Sequence, residues 1–401
     1  MVSSSADRRI RVMTLIDHAD VVGGAELLAV RIAAGLDPAR FESHLCASRS
    51  PRDGVDPAVD AAVATLREAG VRYHTLGRRR KVDVWRWAQF VSLLRDERID
   101  VLHAHKFGSN AWGVLTGRIA KVPVIVAHEH TRNDPYGANR LRKLIDRELI
   151  ARFSDVFVAV SRADQRYMID VERISPAATV FIPNGAPAGR PTPGIDARSL
   201  LNVAPDTPTV GSAGFMHRRK RFDLLIRAAA ILRSELPTVR VFIAGDGDER
   251  PRLEQLIAEL ELVDTVTLLG RRTDVTDLLP GFDVAVCCSD HEGSPISVME
   301  YMDAARPVVA TSVGGNPDLI EDGEDGLLVD PGDHVALAGA IGRLLGDREL
   351  SRRLGAAARA RRLREFTIEG MCGRLEALYV ERLEIASSAG PSASRIHMSL
   401  E

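Results

Sequence analysis

Glu292 and Glu300 stand eight positions apart in the run Glu292-Gly293-Ser294-Pro295-Ile296-Ser297-Val298-Met299-Glu300. Apolar runs flank it, 282–288 upstream and 307–311 downstream, and each reads as a buried strand. A helix beginning near Pro295, a residue favoured in a first turn, leaves Glu292 in the preceding loop and puts Glu300 about one to two turns in. The amides of Ile296, Ser297 and Val298 then lie free at the positive end of the helix dipole, beside both carboxylates. Such a constellation suits a sugar nucleotide. One carboxylate accepts hydrogen bonds from sugar hydroxyls, the other from ribose hydroxyls, and the backbone holds the diphosphate between them.

Arginine is the habitual cation of this chain, and the only lysines are Lys81, Lys106, Lys121, Lys143 and Lys220. Lys220 stands out in Met216-His217-Arg218-Arg219-Lys220-Arg221, because a compact ammonium with rotatable donors suits a diphosphate. A solvated basic turn is the plainer reading. A second candidate phosphate loop runs from Ile16 to Glu26, with Gly23 and Gly24 before a helix start; paired glycines permit close backbone approach and leave amides free for an anion. Gly245-Asp246-Gly247-Asp248 imitates a metal-binding D-x-D, but its place between a strand and a helix reads as a turn. His103-Ala104-His105 and His128-Glu129-His130 each close an expected strand, and i, i+2 spacing sets both rings of a pair on one side. Four imidazoles at strand ends raise the competing possibility of a zinc-dependent hydrolase. No cysteine or carboxylate spacing completes such a site.

Positioning these residues requires alternating strands and helices. Strands are expected at 10–17, 41–47, 71–76, 99–104, 123–128, 155–160 and 178–183, then at 208–213, 239–245, 264–269, 282–288, 307–311 and 326–329. Amphipathic helices between them make the fold class α/β, with two parallel doubly wound sheets. The breaker-rich stretch 183–194 reads as the joint between two domains, residues 1–187 and 188–366. At 401 residues with a formal net charge of -2, the chain can bury two cores and has no global pull toward nucleic acid or anionic membrane. It lacks a signal-peptide core or a run long enough to span a bilayer, so a cytoplasmic protein is expected. Cys46, Cys287, Cys288 and Cys372 are too scattered for a disulfide framework and read as buried thiols. Arg78, Arg79, Arg80 and Lys81 beside Trp85 and Trp87 suggest peripheral contact with an anionic membrane or lipid diphosphate; an ordinary loop into a helix at 83–97, with one tryptophan packed inside, is the plainer alternative.

The run 289–300, followed by Arg306-Pro307-Val308-Val309 and Gly314-Gly315-Asn316-Pro317, resembles the E-x7-E signature of the retaining GT-B glycosyltransferases of family GT4. The resemblance implies a GT-B fold of two Rossmann-like domains facing a central cleft. It implies an N-terminal acceptor domain, a C-terminal donor domain, and a last helix at 367–386 crossing back to the first domain, before a tail at 387–401 expected to be disordered. The implied activity is transfer of a sugar from a nucleoside-diphosphate donor to a hydroxyl acceptor (glycan, lipid-linked sugar or small molecule), without a metal or other cofactor. Gly23 and Gly24 fall on the family's G-G-x-E loop, and Lys220 on the lysine of its G-R-L-x-x-x-K-G clamp. Phe215 replaces that clamp's arginine, so either Arg218, Arg219 or Arg221 supplies the second charge or the donor phosphates are held by fewer contacts. The E-H-T end of 124–131 places the family's cleft histidine at His130, with His128 its rival. By the same resemblance Glu292 holds the sugar, Glu300 the ribose, Ser294 to Val298 the phosphates, and Gly270-Arg271 the nucleobase. No residue is an obvious nucleophile, and the resemblance implies same-face substitution with the phosphate taking the acceptor proton. A GT-B sugar-nucleotide epimerase and a binding scaffold without turnover are the other readings.

Overall fold

The computed structural model describes residues 8–18, 24–49, 57–79, 83–130 and 140–388. Its strands are β1 Ile10–Ile16, β2 Phe41–Arg49, β3 Arg72–Arg78, β4 Val101–His105, β5 Val124–Glu129, β6 Val156–Ala159 and β7 Thr179–Phe181, then β8 Thr209–Ala213, β9 Arg240–Ala244, β10 Val266–Gly270, β11 Val284–Cys287, β12 Val308–Thr311 and β13 Leu327–Val329. The first seven form one sheet in the order β3-β2-β1-β4-β5-β6-β7, the last six another in the order β10-β9-β8-β11-β12-β13. Neighbouring strands are parallel throughout both sheets. Strand order reverses at β1/β4 in one and β8/β11 in the other, the topological switch points beside which open α/β sheets bind ligands.

Continuous apolar strands arise because helices cover both faces of each sheet. In β9, Val241 and Ile243 face one core with Leu225 and Leu232 of the helix Phe222–Glu235. Phe242 and Ala244 face the other, with Val298, Met299 and Met302 of the helix Ile296–Asp303. The same period of two divides β5, whose Ile125 and Ala127 face one core and Val124 and Val126 another. Each expected strand is present, its ends displaced by two residues at most.

The chain divides into two compact units, one comprising the residues through Val160, Gln165–Ile182 and those from Ile368 onward, the other Ser161–Asp164 and Pro183–Thr367. Pro183 to Pro187 and the short segment Ser161–Asp164 therefore go with the second unit, a difference from the boundary expected at 187/188. The last helix, Ile368–Ser388, packs Met371, Leu375, Leu378 and Tyr379 against Val101, Val124 and Val156 of the first sheet. Glu376 on its flank accepts a hydrogen bond from the Asp37 amide at 2.7 Å. Residues 389–401, the greater part of the expected tail, lie outside the described residues. All four cysteines are buried free thiols, and among the described residues no helix is long and apolar enough to cross a membrane.

Candidate active site

In the second unit the candidate residues meet at the carboxyl ends of β8, β11 and β12. Beyond β8 the chain enters a short 3-10 turn, Arg218–Lys220, and Arg221 takes the left-handed conformation (φ 49°) before the helix Phe222–Glu235. A non-glycine residue is held there because its guanidinium is clamped. Arg221 Nη1 donates to both oxygens of Asp290 at 2.8 and 3.0 Å, and Nε donates to Asp223 Oδ1 at 3.0 Å. That turn delivers Lys220 Nζ to 2.5 Å from Glu292 Oε1, which also accepts from Ser289 Oγ at 2.6 Å. The loop carrying Glu292 is fixed from the other side by glycine. Gly314 has a φ of 52°, and a Cβ on it would lie 1.7 Å from the Glu292 carbonyl oxygen.

The Lys220 and Glu292 side chains are only 18% and 9% exposed. Burial opposes charge on both and is the largest single influence, but the surrounding charges and hydrogen bonds together overcome it. Glu292 raises the Lys220 pKa, while Lys220 and the Ser289 hydroxyl hold the Glu292 carboxyl below its ordinary value. The pair is ionised, ammonium against carboxylate. Arg219 adds positive potential to both groups, and its buried Nε has no acceptor among the described residues. Of the three arginines that were candidates to replace the one absent at Phe215, Arg221 is consumed by two aspartates and Arg219 lies within electrostatic reach of the pair. Phe215 itself is 59% exposed.

The helix Ile296–Asp303 starts one residue later than expected, with Pro295 an extended cap (φ -71°, ψ 119°) rather than part of the first turn. Its first intrahelical donor is Met299, onto the Pro295 carbonyl at 3.4 Å, so the amides of Ile296, Ser297 and Val298 form the free N-terminus. Glu300 lies in the second turn, half-buried. Ser294 is turned inward: its Oγ accepts from the Asn184 amide at 3.3 Å and its carbonyl from Asn184 Nδ2 at 2.9 Å. Tyr301 ties the helix to the end of β8, its hydroxyl accepting from the Ala213 amide at 2.6 Å. Arg271 is exposed just past β10. Asp246 and Asp248 sit in the turn between β9 and the helix Arg250–Glu259, both exposed, with Asp246 accepting from the Gly247 amide at 2.8 Å.

In the first unit, β4 and β5 lie side by side with His105 opposite His128, and the four imidazoles do gather. They pair with one another, His103 Nε2 with His128 Nδ1 at 3.1 Å and His105 Nδ1 with His130 Nε2 at 3.0 Å. Within each pair the ring planes are within 6° and 20° of parallel, as in N–H···N hydrogen bonds made edge to edge. His103 Nδ1 is engaged by the Tyr379 hydroxyl at 2.6 Å, so both its nitrogens are occupied. His103, His105 and His128 bring ligating atoms within 4.8 Å of one another, but of these rings only His105 and His128 retain an unpartnered nitrogen among the described residues. Burial pushes all four pKa values down, and with Lys106 nearby that of His130 falls to about 3. Between the rival histidines, His128 is fully buried and His130 is half-buried at the strand's end.

Gly24 opens the helix Gly24–Gly35, where a Cβ would meet nothing within 4 Å; Gly23 lies outside the described residues. Glu26 in that first turn pairs with Lys106, which holds a left-handed conformation (φ 69°) directly after His105. Asp17, at the end of β1, accepts from Ser48 Oγ and Ser109 Oγ at 3.2 and 3.3 Å. Sequence reasoning missed Ser289, Lys106 and Tyr379; only Lys106, as one of five lysines, carried any signal.

The proposed membrane cluster is broken up by the fold. Arg78 is buried with its guanidinium 4.8 Å from the Trp87 ring, and Trp87 stacks on Trp112 at 5.0 Å. Trp87 is withdrawn from the surface because it joins the core beneath the helix Arg86–Asp96, with Trp112 partly buried against it. Arg79 and Trp85 remain exposed, whereas Arg80 and Lys81 lie outside the described residues.

Two parallel α/β sheets, one of them carrying an acid and a lysine in contact at its strands' carboxyl ends, form the frame on which comparison with known proteins places a class. Residues 197–361 match the family model "Glycosyl transferases group 1", and residues 22–190 match "Glycosyltransferase Family 4". A D-inositol 3-phosphate glycosyltransferase of Geodermatophilus obscurus is 31% identical over 315 residues, 73% of this chain and 69% of the relative. One of the same description from Thermobispora bispora is 28% identical over 397 residues, 90% of each chain. Among solved structures, Anabaena HepE in complex with UDP-glucose superposes with a TM-score of 0.80 at 23% identity, covering 93% of this chain and 100% of its own. The chain belongs to the group 1 (family 4) glycosyltransferases, with the GT-B fold.

Proposed function

We propose that the protein transfers a sugar from a nucleoside-diphosphate sugar to an acceptor hydroxyl with retention of anomeric configuration. The ionised Lys220–Glu292 pair beside the amides of Ile296–Val298 carries this reading. As the glycosidic bond breaks, negative charge grows on the departing diphosphate, and in this reading Lys220, Arg219 and the three amides receive it. Glu292 accepts from the transferred sugar's hydroxyls, and Glu300 from the ribose. In the first unit, His130, kept neutral, offers a hydrogen bond to a sugar hydroxyl. The amides at Gly23 and Gly24 serve as a further anion contact, and Arg271 borders the nucleobase. The leaving phosphate takes the acceptor proton, so retention follows from same-face attack without a protein nucleophile. The positive groups suffice for the diphosphate without a divalent metal.

Structural neighbours solved with UDP and UDP-glucose support a uridine donor. Relatives described as acting on D-inositol 3-phosphate or in lipopolysaccharide core biosynthesis support a hydroxyl-rich acceptor. The testing experiment is a mass-spectrometric screen of nucleotide sugars with and without candidate acceptors, followed by NMR of the product's anomeric centre. Turnover of donor to an epimer without acceptor supports an epimerase instead, binding without turnover a scaffold, and an inverted product excludes retention.

A further inference from the structure

On the second unit, at the amino ends of β8, β11 and β12 and so across the sheet from Lys220 and Glu292, lies a cavity of about 460 Å³. Four guanidiniums line it, Arg198, Arg306, Arg348 and Arg352, against two carboxylates, Asp206 and Asp283. Asp283 is already committed. It accepts from Arg198 Nη2 at 2.8 Å, and from the Thr209 amide and hydroxyl at 2.8 and 2.9 Å. Arg306 is held in place by backbone carbonyls, donating from Nε to Ala304 at 3.0 Å and from Nη1 to Phe282 at 3.1 Å. Neither it nor Arg348 or Arg352 has a carboxylate within ion-pair distance among the described residues. A half-buried guanidinium fixed by carbonyls without a direct ion pair is costly; burial lowers its pKa, and the attraction of Asp283, itself shared with Arg198, does not restore it. Arg348 and Arg352 are one helical turn apart, exposed, at the start of the 18-residue helix Arg348–Glu365, whose amino end is already capped by Asp347, its carboxylate accepting from the Leu350 amide at 2.9 Å, with Glu349 in the first turn, so the positive charge there comes from the two guanidiniums rather than from the helix dipole.

We propose that this cavity binds a small phosphate-bearing anion, Arg306 providing the half-buried contact at its floor and Arg348 and Arg352 closing over it as planar forks suited to phosphate oxygens. Its volume is that of a small-molecule site rather than of a groove for a polymer. The cavity also adjoins the proposed donor site through one element: Ala305 and Arg306 follow the helix Ile296–Asp303 after its cap Ala304, and the Arg306 amide donates to the Tyr301 carbonyl at 3.0 Å. An occupied cavity therefore braces the carboxyl end of the helix whose amino end faces Glu292.

Isothermal titration of inorganic phosphate and of glycerol 3-phosphate into the full chain, at constant ionic strength, tests the site in wild type and in R348E/R352E. UDP is titrated into both proteins as a control on fold and donor site. The expected result is at least about tenfold weaker phosphate binding in the double variant, with UDP binding unchanged and with phosphate still bound by wild type saturated with UDP. The tighter of the two phosphates identifies whether a free or an organic phosphate is the natural occupant. Equal phosphate affinity in both proteins, loss of phosphate binding on UDP saturation, or no binding of either phosphate overturns the proposal.

Discussion

Removing Lys220 should damage stability and catalysis through separate physical routes, and the structure predicts how to separate them. Lys220→Ala leaves the Glu292 carboxylate, 9% exposed, without the ammonium 2.5 Å away. Ser289 Oγ at 2.6 Å remains its hydrogen-bond donor, so the penalty belongs near the low end of the 3–5 kcal/mol typical of an orphaned buried charge, about 3 kcal/mol. Lys220→Ala/Glu292→Gln removes that charge and should regain about 2 kcal/mol in urea denaturation, since a neutral amide costs less to bury. Turnover should not follow. With Phe215 in place of the clamp arginine, Lys220 carries much of the charge that develops on the leaving diphosphate, and kcat should fall about 100-fold or more in both variants. Phe215→Arg in the Lys220→Ala background should return part of the rate if both positions face the same phosphates. A Lys220→Ala protein as stable as wild type, or one with unchanged kcat, refutes the reasoning. So does a double variant less stable than the single one.

Glu300→Ala should weaken nucleoside diphosphate binding by about 1–3 kcal/mol for the lost charged hydrogen bonds, whereas Glu292→Gln should spare nucleoside diphosphate and weaken the complete sugar nucleotide; calorimetry finding the two variants alike refutes the division of labour. Catalysis should survive EDTA, and activity that returns only with manganese or zinc would overturn metal independence. The buried histidines make stability pH-dependent. Their folded pKa values lie below the unfolded value near 6.5, His130 at about 3, so the unfolded chain binds more protons as pH falls. Their contribution is whole above about pH 6.5 and declines below it, by up to about 1.4 kcal/mol per unit for each histidine. Melting temperatures from pH 7 to pH 5 should fall more steeply in wild type than in His103→Gln, and equal slopes would contradict the burial argument.

Both sheets were legible because a strand covered on two faces is written as an apolar run with breakers at its ends, and thirteen such runs could be read without knowing their partners. The pair Glu292 and Glu300 was legible for a related reason: both sit on one local strand-loop-helix unit, whose geometry is fixed by the chain itself. Contacts that close over long separations were not. Ser289 is three residues from Glu292, yet nothing in a serine announces that its hydroxyl turns to a carboxylate. Tyr379 reaches His103 across 276 positions. The 78–87 cluster left two readings open for a physical reason, since arginine beside tryptophan is as suited to a buried cation–π pair as to a membrane surface; packing on Trp112 bears out the plainer one for Arg78 and Trp87.

The arginine run 218–221 shows how far residue type alone can carry an assignment. Three guanidiniums adjoin Lys220, and by charge each is an equal substitute for the one missing at Phe215. Geometry makes them unequal. Arg221 holds the left-handed turn by bonding Asp223 and Asp290, and moving it to a phosphate would release the turn that aims Lys220. Arg219 acts electrostatically on both Lys220 and Glu292 while its buried Nε waits without an acceptor among the described residues. A diphosphate arriving at Lys220 would supply that acceptor. Arg219→Gln should therefore weaken nucleoside diphosphate binding more than Arg221→Gln does, once the latter's loss of stability is allowed for. Arg221→Gln should be the more destabilising of the two, because it leaves Asp223 and Asp290 facing each other without their shared cation. Denaturation midpoints and UDP affinities for the two variants give four numbers, and the reverse order in either pair would return the choice of arginine to where the sequence left it.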